Sequence, residues 1–466
     1  MIHAGRIALF VNSRPTTSVI VNSFGLSQCI WLHNLKRSCT SQSNQNKPNY
    51  PEKTMAEVKA KLRKMMGTPQ GYKMLPANRS HLLPLLPKTQ EELPVRTPMD
   101  SYDTASILLS QSPKLQDKYA TVLGSVRIGR LLEDLDLFCV WISLRHINNP
   151  KSVNSENTPY TIVTAGVDNV NFTEYRPQAL DDLRLSGNVI YAGKTSMEIE
   201  ATVDTFTRGE WKQYIKAYFV MVARNSTNSG GAFINQLKPS TPEEQEKFKQ
   251  AEERKKKRQI ELSASLLKTP PSPDEQRLAH DKFMKTVDLK DPTLHKRVLP
   301  AHASWMDSTK FTNTFSPHPE NRNHHNRVFG GFLMRMASEL SWVIAFSHGR
   351  SRPYLCHISD FSFKTPVPMT AFMKLSGQMV YTELNFAQIV VVCEMFHVHT
   401  WERVTTNEFH YTYRFNDEPP EIMPLSYLDT LRLVDGYRHF QGFKALISKT
   451  DGKKLERGSP EYYLTF

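Results

Sequence analysis

The sequence contains few cysteines and no long apolar run. Five of its 466 residues are cysteines, and two of them, Cys29 and Cys39, lie near the N-terminus. The other three, Cys139, Cys356 and Cys393, are widely spaced in apolar surroundings. This spacing gives neither a disulfide framework nor a zinc site, so we expect reduced thiols. No uninterrupted apolar window is long enough to cross a bilayer, so no transmembrane segment is predicted.

Acidic residues are absent from the first 51 positions, and the first acid is Glu52. The same segment is rich in serine and contains five cations, Arg6, Arg14, Lys36, Arg37 and Lys47. A basic, serine-rich start without acids is typical of a mitochondrial transit peptide. We therefore predict a transit peptide over residues 1–45 and a mitochondrial location. The matrix is the expected compartment, association with the inner membrane is an alternative, and a cytosolic tail is the opposing interpretation.

The chain is basic, with a formal net charge of +13. The five N-terminal cations account for part of it, which leaves about +8 (13 − 5) for the rest. Such a charge suits a polyanionic ligand, either nucleic acid or a nucleotide-bearing substrate such as a coenzyme A thioester. No clustered basic and aromatic face is present, so nucleic acid is not expected. The basic run at 254–258 follows an acidic stretch, which favours a solvated face of a linker helix.

Hydrophobic periodicity predicts the same order of elements twice. A strand at Ser101–Ser110 precedes a helix at Ile128–Arg145, and a strand at Lys310–Phe315 precedes a helix at Phe329–Phe346. Four strand-like runs follow each helix. The predicted organisation is an N-terminal extension at 46–96, a first module at 97–232, a charged, proline-rich linker at 233–300, a second module at 301–416 and a C-terminal extension at 417–466.

The repeat is also visible in individual residues. Leu185-Ser-Gly187 followed by Tyr191 matches Leu375-Ser-Gly377 followed by Tyr381, and Arg224 matches Arg414, both at an offset of 190. The segment from Phe172 to Pro177 matches that from Phe363 to Pro368 at an offset of 191. A strand, a long helix and four strands form an α+β unit in which antiparallel strands wrap one apolar helix. Two such units predict a pseudo-dimer.

The start of the second long helix has the features of a site. Gly330 and Gly331 let a ligand approach the free N–H groups of the first turn, where the helix dipole is positive. Such donors suit a carbonyl that becomes an oxyanion. Asn323 precedes the pair by seven residues and could add its carboxamide. The structural alternative is a close helix–strand contact for the glycines and a turn for Asn323.

The first module supplies the carboxylate. Asp136 lies in the predicted helix among apolar neighbours, where burial would raise its pKa and make it a general base towards water. A salt bridge is the alternative, and Glu133 and Asp134 are expected to face solvent. Aligning the helices places Gly129 on Gly331, Asp136 on Ser338 and Thr121 on Asn323. A pseudo-dimer with shared sites therefore predicts one complete site, Asp136 with Asn323, and one degenerate site, Thr121 with Ser338, which lacks a base. Glu339 next to Ser338 would point about 100° away.

The segment Val328-Phe-Gly-Gly-Phe-Leu-Met-Arg335 and the duplicated architecture resemble the double hotdog acyl-CoA thioesterases. The resemblance covers roughly residues 97–416 and implies tandem hotdog folds, each an antiparallel sheet around a central helix. It also implies an Asp136/Asn323 site, a helix-start amide at Gly331 or Gly129, and hydrolysis of fatty acyl-CoA without a cofactor. Relatives commonly assemble, so homo-oligomers are expected. Many of them carry an acid where this chain has Ser338.

Three other functions compete with metal-free thioester hydrolysis at an Asp/Asn site. No Gly-x-Ser-x-Gly elbow is present, which argues against a serine hydrolase. A hotdog enoyl-CoA hydratase would ask for a His–Asp pair, and a non-catalytic acyl-CoA-binding protein remains the alternative outside enzymes. His397 and His399, placed on a predicted strand, share a face but have no evident third ligand, so no metal is expected. His324 and His325 could contact substrate or lie on the surface.

Overall fold

The computed structural model describes residues 51–450 except 52, 68–77, 264–265, 267, 289, 291–295 and 324–326. The predicted transit peptide, His324 and His325 lie outside the described residues. No helix in the described part of the chain is both long and apolar enough to cross a membrane. Cys139, Cys356 and Cys393 are free thiols.

The described helices and strands follow the predicted order closely. The helices are α1 Met55–Met66, α2 Pro98–Ser101, α3 Pro113–Tyr119, α4 Ile128–His146, α5 Pro242–Ser263, α6 Pro273–Met284, α7 Gly330–His348 and α8 Tyr427–Thr450. The strands are β1 Asp103–Ile107, β2 Tyr160–Phe172, β3 Leu183–Ala192, β4 Ser196–Thr207, β5 Glu210–Asn225, β6 Ala303–Trp305, β7 Phe311–Phe315, β8 Tyr354–Ile358, β9 Phe361–Ser362, β10 Phe372–Glu383, β11 Phe386–Phe396, β12 Arg403–Arg414 and β13 Glu421–Met423.

Eleven of the described strands form one antiparallel sheet with the order β1-β3-β4-β5-β2-β8-β12-β11-β10-β7, and β9 pairs with β2. Strands β1 to β5 form the first half of the sheet, in the order β1-β3-β4-β5-β2. The second half repeats this order with β7-β10-β11-β12-β8. The halves join where Val170 and Asn171 of β2 pair with Ile358 and His357 of β8. One long helix follows the first strand of each half, so the fold is α+β, with an antiparallel sheet around two apolar helices.

The repeat extends to irregularities of the backbone. Gly187 of β3 pairs with β1, and Gly377 of β10 pairs with β7. Each strand then has a register shift that ends at its tyrosine, Tyr191 or Tyr381, at the same offset of 190 that the sequence shows. A Cβ on Gly377 would lie 2.6 Å from Cδ1 of Ile344 on α7, so this glycine permits the close approach of the helix.

The core lies between the helices and the inner face of the sheet. Leu131, Leu135, Phe138 and Ile142 of α4 are almost completely buried, as their helical spacing predicts. Burying a side chain of this size contributes about 1.5–3 kcal/mol. The first of the strand-like runs predicted after the second long helix is divided into two strands, β8 and β9.

The N-terminal extension is folded onto the first half, and this explains a wrong expectation about Asp134. Helix α1 starts with a capping box between Thr54 and Glu57 and is buried through Val58. Asp134, expected in solvent, is only 2% exposed, because the Tyr119 hydroxyl and the Lys59 ammonium bind its two carboxylate oxygens. The apolar pattern of α4 alone could not show partners that come from other segments.

The linker helix α5 is packed along one edge, so it is more than a solvated spacer. Ala251 is fully buried and the Phe248 ring lies 4.9 Å from that of Tyr191 on β3. The expected solvated basic face is wrong for Arg254 and Arg258, because they pair with Glu198 and Asp168 on the outer face of the sheet. At the other end of the chain, α8 lies within the predicted C-terminal extension and covers the outer face of the second half.

Candidate active site

The first turn of α7 contains the glycine pair, and one of its N–H groups is bound by a side chain from α4. The preceding residue, Phe329, provides no side-chain cap. The Gly331 N–H instead donates a 2.7 Å hydrogen bond to Oδ2 of Asp136, which comes from the middle of α4. A Cβ at Gly331 would lie 3.1 Å from the same oxygen and 3.0 Å from Cα of Glu133. Glycine is therefore required for α4 to approach the start of α7 this closely.

Asp136 is completely buried and has two donors. The Thr164 hydroxyl on β2 donates to Oδ1, and the Gly331 N–H donates to Oδ2. Burial raises the pKa of Asp136 to about 7 and outweighs the lowering effect of both hydrogen bonds, while nearby Glu133 adds to the rise. A carboxyl with this pKa can take up and release a proton near neutral pH, as a general base must.

The loop before α7 is closed by Asn323. Its N–H donates to the Arg327 carbonyl over 2.7 Å, and its Oδ1 accepts from the Arg327 N–H over 3.1 Å. The loop is joined to the helix start by the Phe329 N–H, which donates to the carbonyl of Asn321 over 3.0 Å. The structure thus brings Asp136 together with Gly330 and Gly331, and places Asn323 in the loop that leads to them. A catalytic role for its carboxamide stays a prediction.

The start of α4 repeats this arrangement with different side chains. The Thr121 N–H donates to the Ser125 carbonyl over 2.7 Å, and Oγ1 of Thr121 accepts from the Ser125 N–H over 3.2 Å. These are the bonds of Asn323 and Arg327, 202 positions earlier (323 − 121 and 327 − 125). The aligned pair Thr121 and Asn323 therefore closes equivalent loops.

Gly129 faces Ser338 as Gly331 faces Asp136. A Cβ on Gly129 would lie 2.8 Å from Oγ of Ser338. The Ser338 hydroxyl donates to the Arg335 carbonyl in its own helix over 2.9 Å, so its proton is already engaged. Oε1 of Glu339 lies 2.5 Å from Nη2 of Arg127, the residue just before α4. This second location has a serine at the position of Asp136, and its degeneracy as a site stays a prediction.

Two features of the site and its surroundings were not predicted correctly. Thr164 was missed, because nothing in the pattern of β2 distinguishes it from other strand threonines until the helix is placed above it. His397 and His399 were placed on a strand, but β11 ends at Phe396 and both histidines lie beyond it. The alternation that would give them a common face therefore does not apply.

Replacing Gly331 by alanine tests whether activity depends on the close approach of α4 to the start of α7. We expect Gly331→Ala to reduce kcat several-fold, because a Cβ 3.0 Å from Cα of Glu133 and 3.1 Å from Oδ2 of Asp136 would push the carboxyl away by a few tenths of an ångström. Gly129→Ala is the matched control, because its Cβ would crowd Ser338 and the Arg335 carbonyl to a similar degree. Thioester turnover and thermal melting of both variants separate the effects. Equal losses of activity would show that the crowding is merely structural.

Comparison with known proteins identifies the family. No family model matches the chain. Human mitochondrial acyl-coenzyme A thioesterase 9 (Homo sapiens) is 39% identical over 387 residues, which cover 82% of this chain and 88% of that protein. Mouse mitochondrial acyl-coenzyme A thioesterase 10 (Mus musculus) is 37% identical over 412 residues, covering 88% and 93%. An acyl-CoA hydrolase from Staphylococcus aureus, solved with butyryl coenzyme A, aligns with a TM-score of 0.31 at 17% identity over 32% of this chain and 95% of that one.

The identity and coverage of the curated relatives place this chain among the acyl-coenzyme A thioesterases, which are thioester hydrolases. Within that class it belongs to the family of the mitochondrial acyl-coenzyme A thioesterases 9 and 10.

Proposed function

We propose that this chain hydrolyses fatty acyl-CoA to free acid and coenzyme A at a single site between the start of α7 and the middle of α4. The supporting observation is the buried Asp136 carboxyl, held against the Gly331 N–H at the first turn of α7. Membership of the thioesterase family supports acyl-CoA as the substrate class, and the geometry supports Asp136 and Gly331 as residues of the site.

In the proposed reaction, Asp136 removes a proton from water as the water oxygen attacks the thioester carbonyl carbon. The carbonyl oxygen becomes an oxyanion and accepts hydrogen bonds from the Asn323 carboxamide and a backbone N–H of the first turn of α7. The tetrahedral intermediate then collapses, the carbon–sulfur bond breaks, and the coenzyme A thiolate takes the proton from Asp136. A thiolate whose conjugate thiol has an ordinary pKa of about 8.5 accepts a proton readily from a carboxyl with a pKa of about 7.

We also propose that residues 97–232 and 301–416 are tandem hotdog folds forming a pseudo-dimer. The mirrored strand orders, the shared offset of 190 and the equivalent loops at Thr121 and Asn323 support this interpretation. In a pseudo-dimer the two helices approach each other so that each helix start meets the middle of the other. The complete site and its degenerate counterpart then follow from one duplication.

Location and assembly are further parts of the proposal. The curated relatives named thioesterase 9 and 10 are mitochondrial, which supports import of this chain into mitochondria, and we propose the matrix as its compartment. A related acyl-CoA thioesterase with a solved structure is described as hexameric, and we propose that copies of this chain also assemble.

The function is tested by measuring thiol release from acyl-CoAs that range from acetyl to stearoyl. We expect turnover with at least one chain length, and we expect Ser338→Ala to stay within about twofold of the wild type because Ser338 lies in the degenerate site. Tight binding without release at every length would favour an acyl-CoA-binding protein. Hydration of an enoyl-CoA without thiol release would favour a hydratase. Both outcomes would contradict the proposal.

A further inference from the structure

The outer face of β12 carries a group of polar side chains beneath the C-terminal helix α8. Phe409 and Tyr411 of β12 belong to the inner core, so their neighbours Glu408 and His410 point outwards. Asp435 and His439 are four positions apart on α8 and therefore lie on one face of that helix. The fold thus brings together two ligand-type residues from a strand and two from a helix. The thioesterase site described above uses none of them.

The ligand atoms of these residues are close together. Nε2 of His410 lies 3.3 Å from Oδ2 of Asp435 and 4.0 Å from Oε1 of Glu408. The rings of His410 and His439 stack with their centroids 3.7 Å apart and an interplanar angle of 16°. One ligand atom from each of His410, Asp435 and His439 lies within 4.8 Å of the others. Ligand atoms around a tetrahedral zinc ion are about 3.3 Å apart, so rotation of one ring and of the Asp435 side chain would bring these three into range. Glu408, which lies close to His410 alone, must also turn inwards to become a fourth ligand.

A second observation concerns the His410 ring itself. Its side chain is only 5% exposed, and among the described residues its Nδ1 has no hydrogen-bond partner. A buried ring nitrogen without a partner costs free energy, which a metal bond would remove once the His410 ring turns Nδ1 towards the ion.

The cluster carries negative charge and is open to solvent. Asp435 and Glu408 supply two negative charges, and their side chains are 36% and 46% exposed, so an ion can enter from solvent. Lys364 and Arg432 act on Glu408 through space as cations. A dication held by two neutral imidazoles and two carboxylates leaves the ligand set electrically neutral.

We propose that His410, Asp435 and His439, with Glu408 as the fourth ligand, bind one divalent transition-metal ion between β12 and α8. Zn²⁺ suits this donor set best, because it favours four ligands of imidazole and carboxylate type. With every position filled by protein, the site is structural and fastens α8 to the outer face of the sheet. It is separate from the proposed hydrolytic reaction, which requires no metal.

The test uses the purified full chain, stripped with a chelator and titrated with Co²⁺ and Zn²⁺. We expect about one Co²⁺ per chain with the intense visible bands of a tetrahedral ion, displaced by Zn²⁺. Zinc should raise Tm by a few degrees and slow hydrogen exchange in α8, and chelator should reverse both effects. The exchange measurement needs no variant and so does not depend on how a substituted protein folds.

Variants assign the ligands. Asp435→Asn preserves size and should weaken Zn²⁺ binding at least tenfold, while His439→Gln should abolish the cobalt bands. His399→Gln, which removes a histidine beyond the end of β11, is the matched control and should bind like the wild type. Absence of stoichiometric Co²⁺ in the wild type, or wild-type affinity in both ligand variants, would overturn the proposal. Because the readout is metal binding, the result is independent of thioester turnover.

Discussion

Asp136→Asn is expected to lower kcat for acyl-CoA hydrolysis by about 10²- to 10⁴-fold, the usual contribution of a general base. The amide has almost the same shape as the carboxyl but cannot take a proton from water. Its oxygen can keep the bond from the Gly331 N–H, and its NH₂ group can donate to the Thr164 hydroxyl after that hydroxyl rotates. The fold should therefore survive, and steady-state kinetics of the purified variant measure the loss.

The pH dependence of activity gives an independent check on the role of Asp136. Because Asp136 must be ionised to act, kcat/KM of the wild type should rise about tenfold per pH unit below the pKa of about 7 and level off above it. Residual activity of Asp136→Asn should lack this limb. An unchanged limb in the variant would assign the titration to another group.

The stability of the wild type should fall over the pH range in which its activity rises. The folded pKa of Asp136 is raised from 3.8 to about 7, so the folded state favours the protonated carboxyl. The wild type therefore loses stability as pH rises from about 4 to 7 and keeps that deficit above 7. Asp136→Asn has no charge to bury and should be more stable at pH 8 by about 4 kcal/mol. Denaturant unfolding at pH 8 and at pH 4 measures the difference, which should vanish at the lower pH.

Asn323→Thr is expected to lower kcat by about 10²- to 10³-fold, the cost of one oxyanion donor. Threonine is chosen because Thr121 closes the equivalent loop with its own hydroxyl. A threonine at 323 should accept the Arg327 N–H in the same manner, which preserves the loop while removing the carboxamide. The kinetic loss should therefore occur without a loss in Tm.

The reciprocal change, Thr121→Asn, is the control for the loop. It should leave both turnover and Tm close to wild type, because Ser338, which stands at the position of Asp136 in the second half, provides no base. If Asn323→Thr retained full activity, the carboxamide would serve only to close its loop, and the oxyanion would need another donor.

The long helices and most strands could be predicted because their signals are local. Apolar spacing at Leu131, Leu135 and Phe138 predicts a buried helix, and the repeat of Leu-Ser-Gly at positions 185 and 375 predicts equivalent strands. Comparing the halves also indicated that Asp136 is paired with the opposite helix start. That inference needed only the repeat and the rule that the first turn of a helix exposes its N–H groups.

The partners of individual polar groups could not be predicted in this way. Asp134 was expected in solvent, yet Lys59 and Tyr119 reach it from outside its helix. Thr164 reaches Asp136 from β2, 28 residues away. The basic residues Arg254 and Arg258 find acids on the outer face of the sheet. Each contact joins segments whose approach depends on the packing of the whole domain.

The sequence by itself determined the duplication, the two helix starts and the class of chemistry, since periodicity and turn residues act over a few neighbouring positions. Only the tertiary structure decided which carboxyl is desolvated, which N–H meets it, and that α8 lies over β12 to gather His410, Asp435 and His439. Desolvation and ligand geometry depend on distances between residues remote in the chain, and these distances exist only after folding.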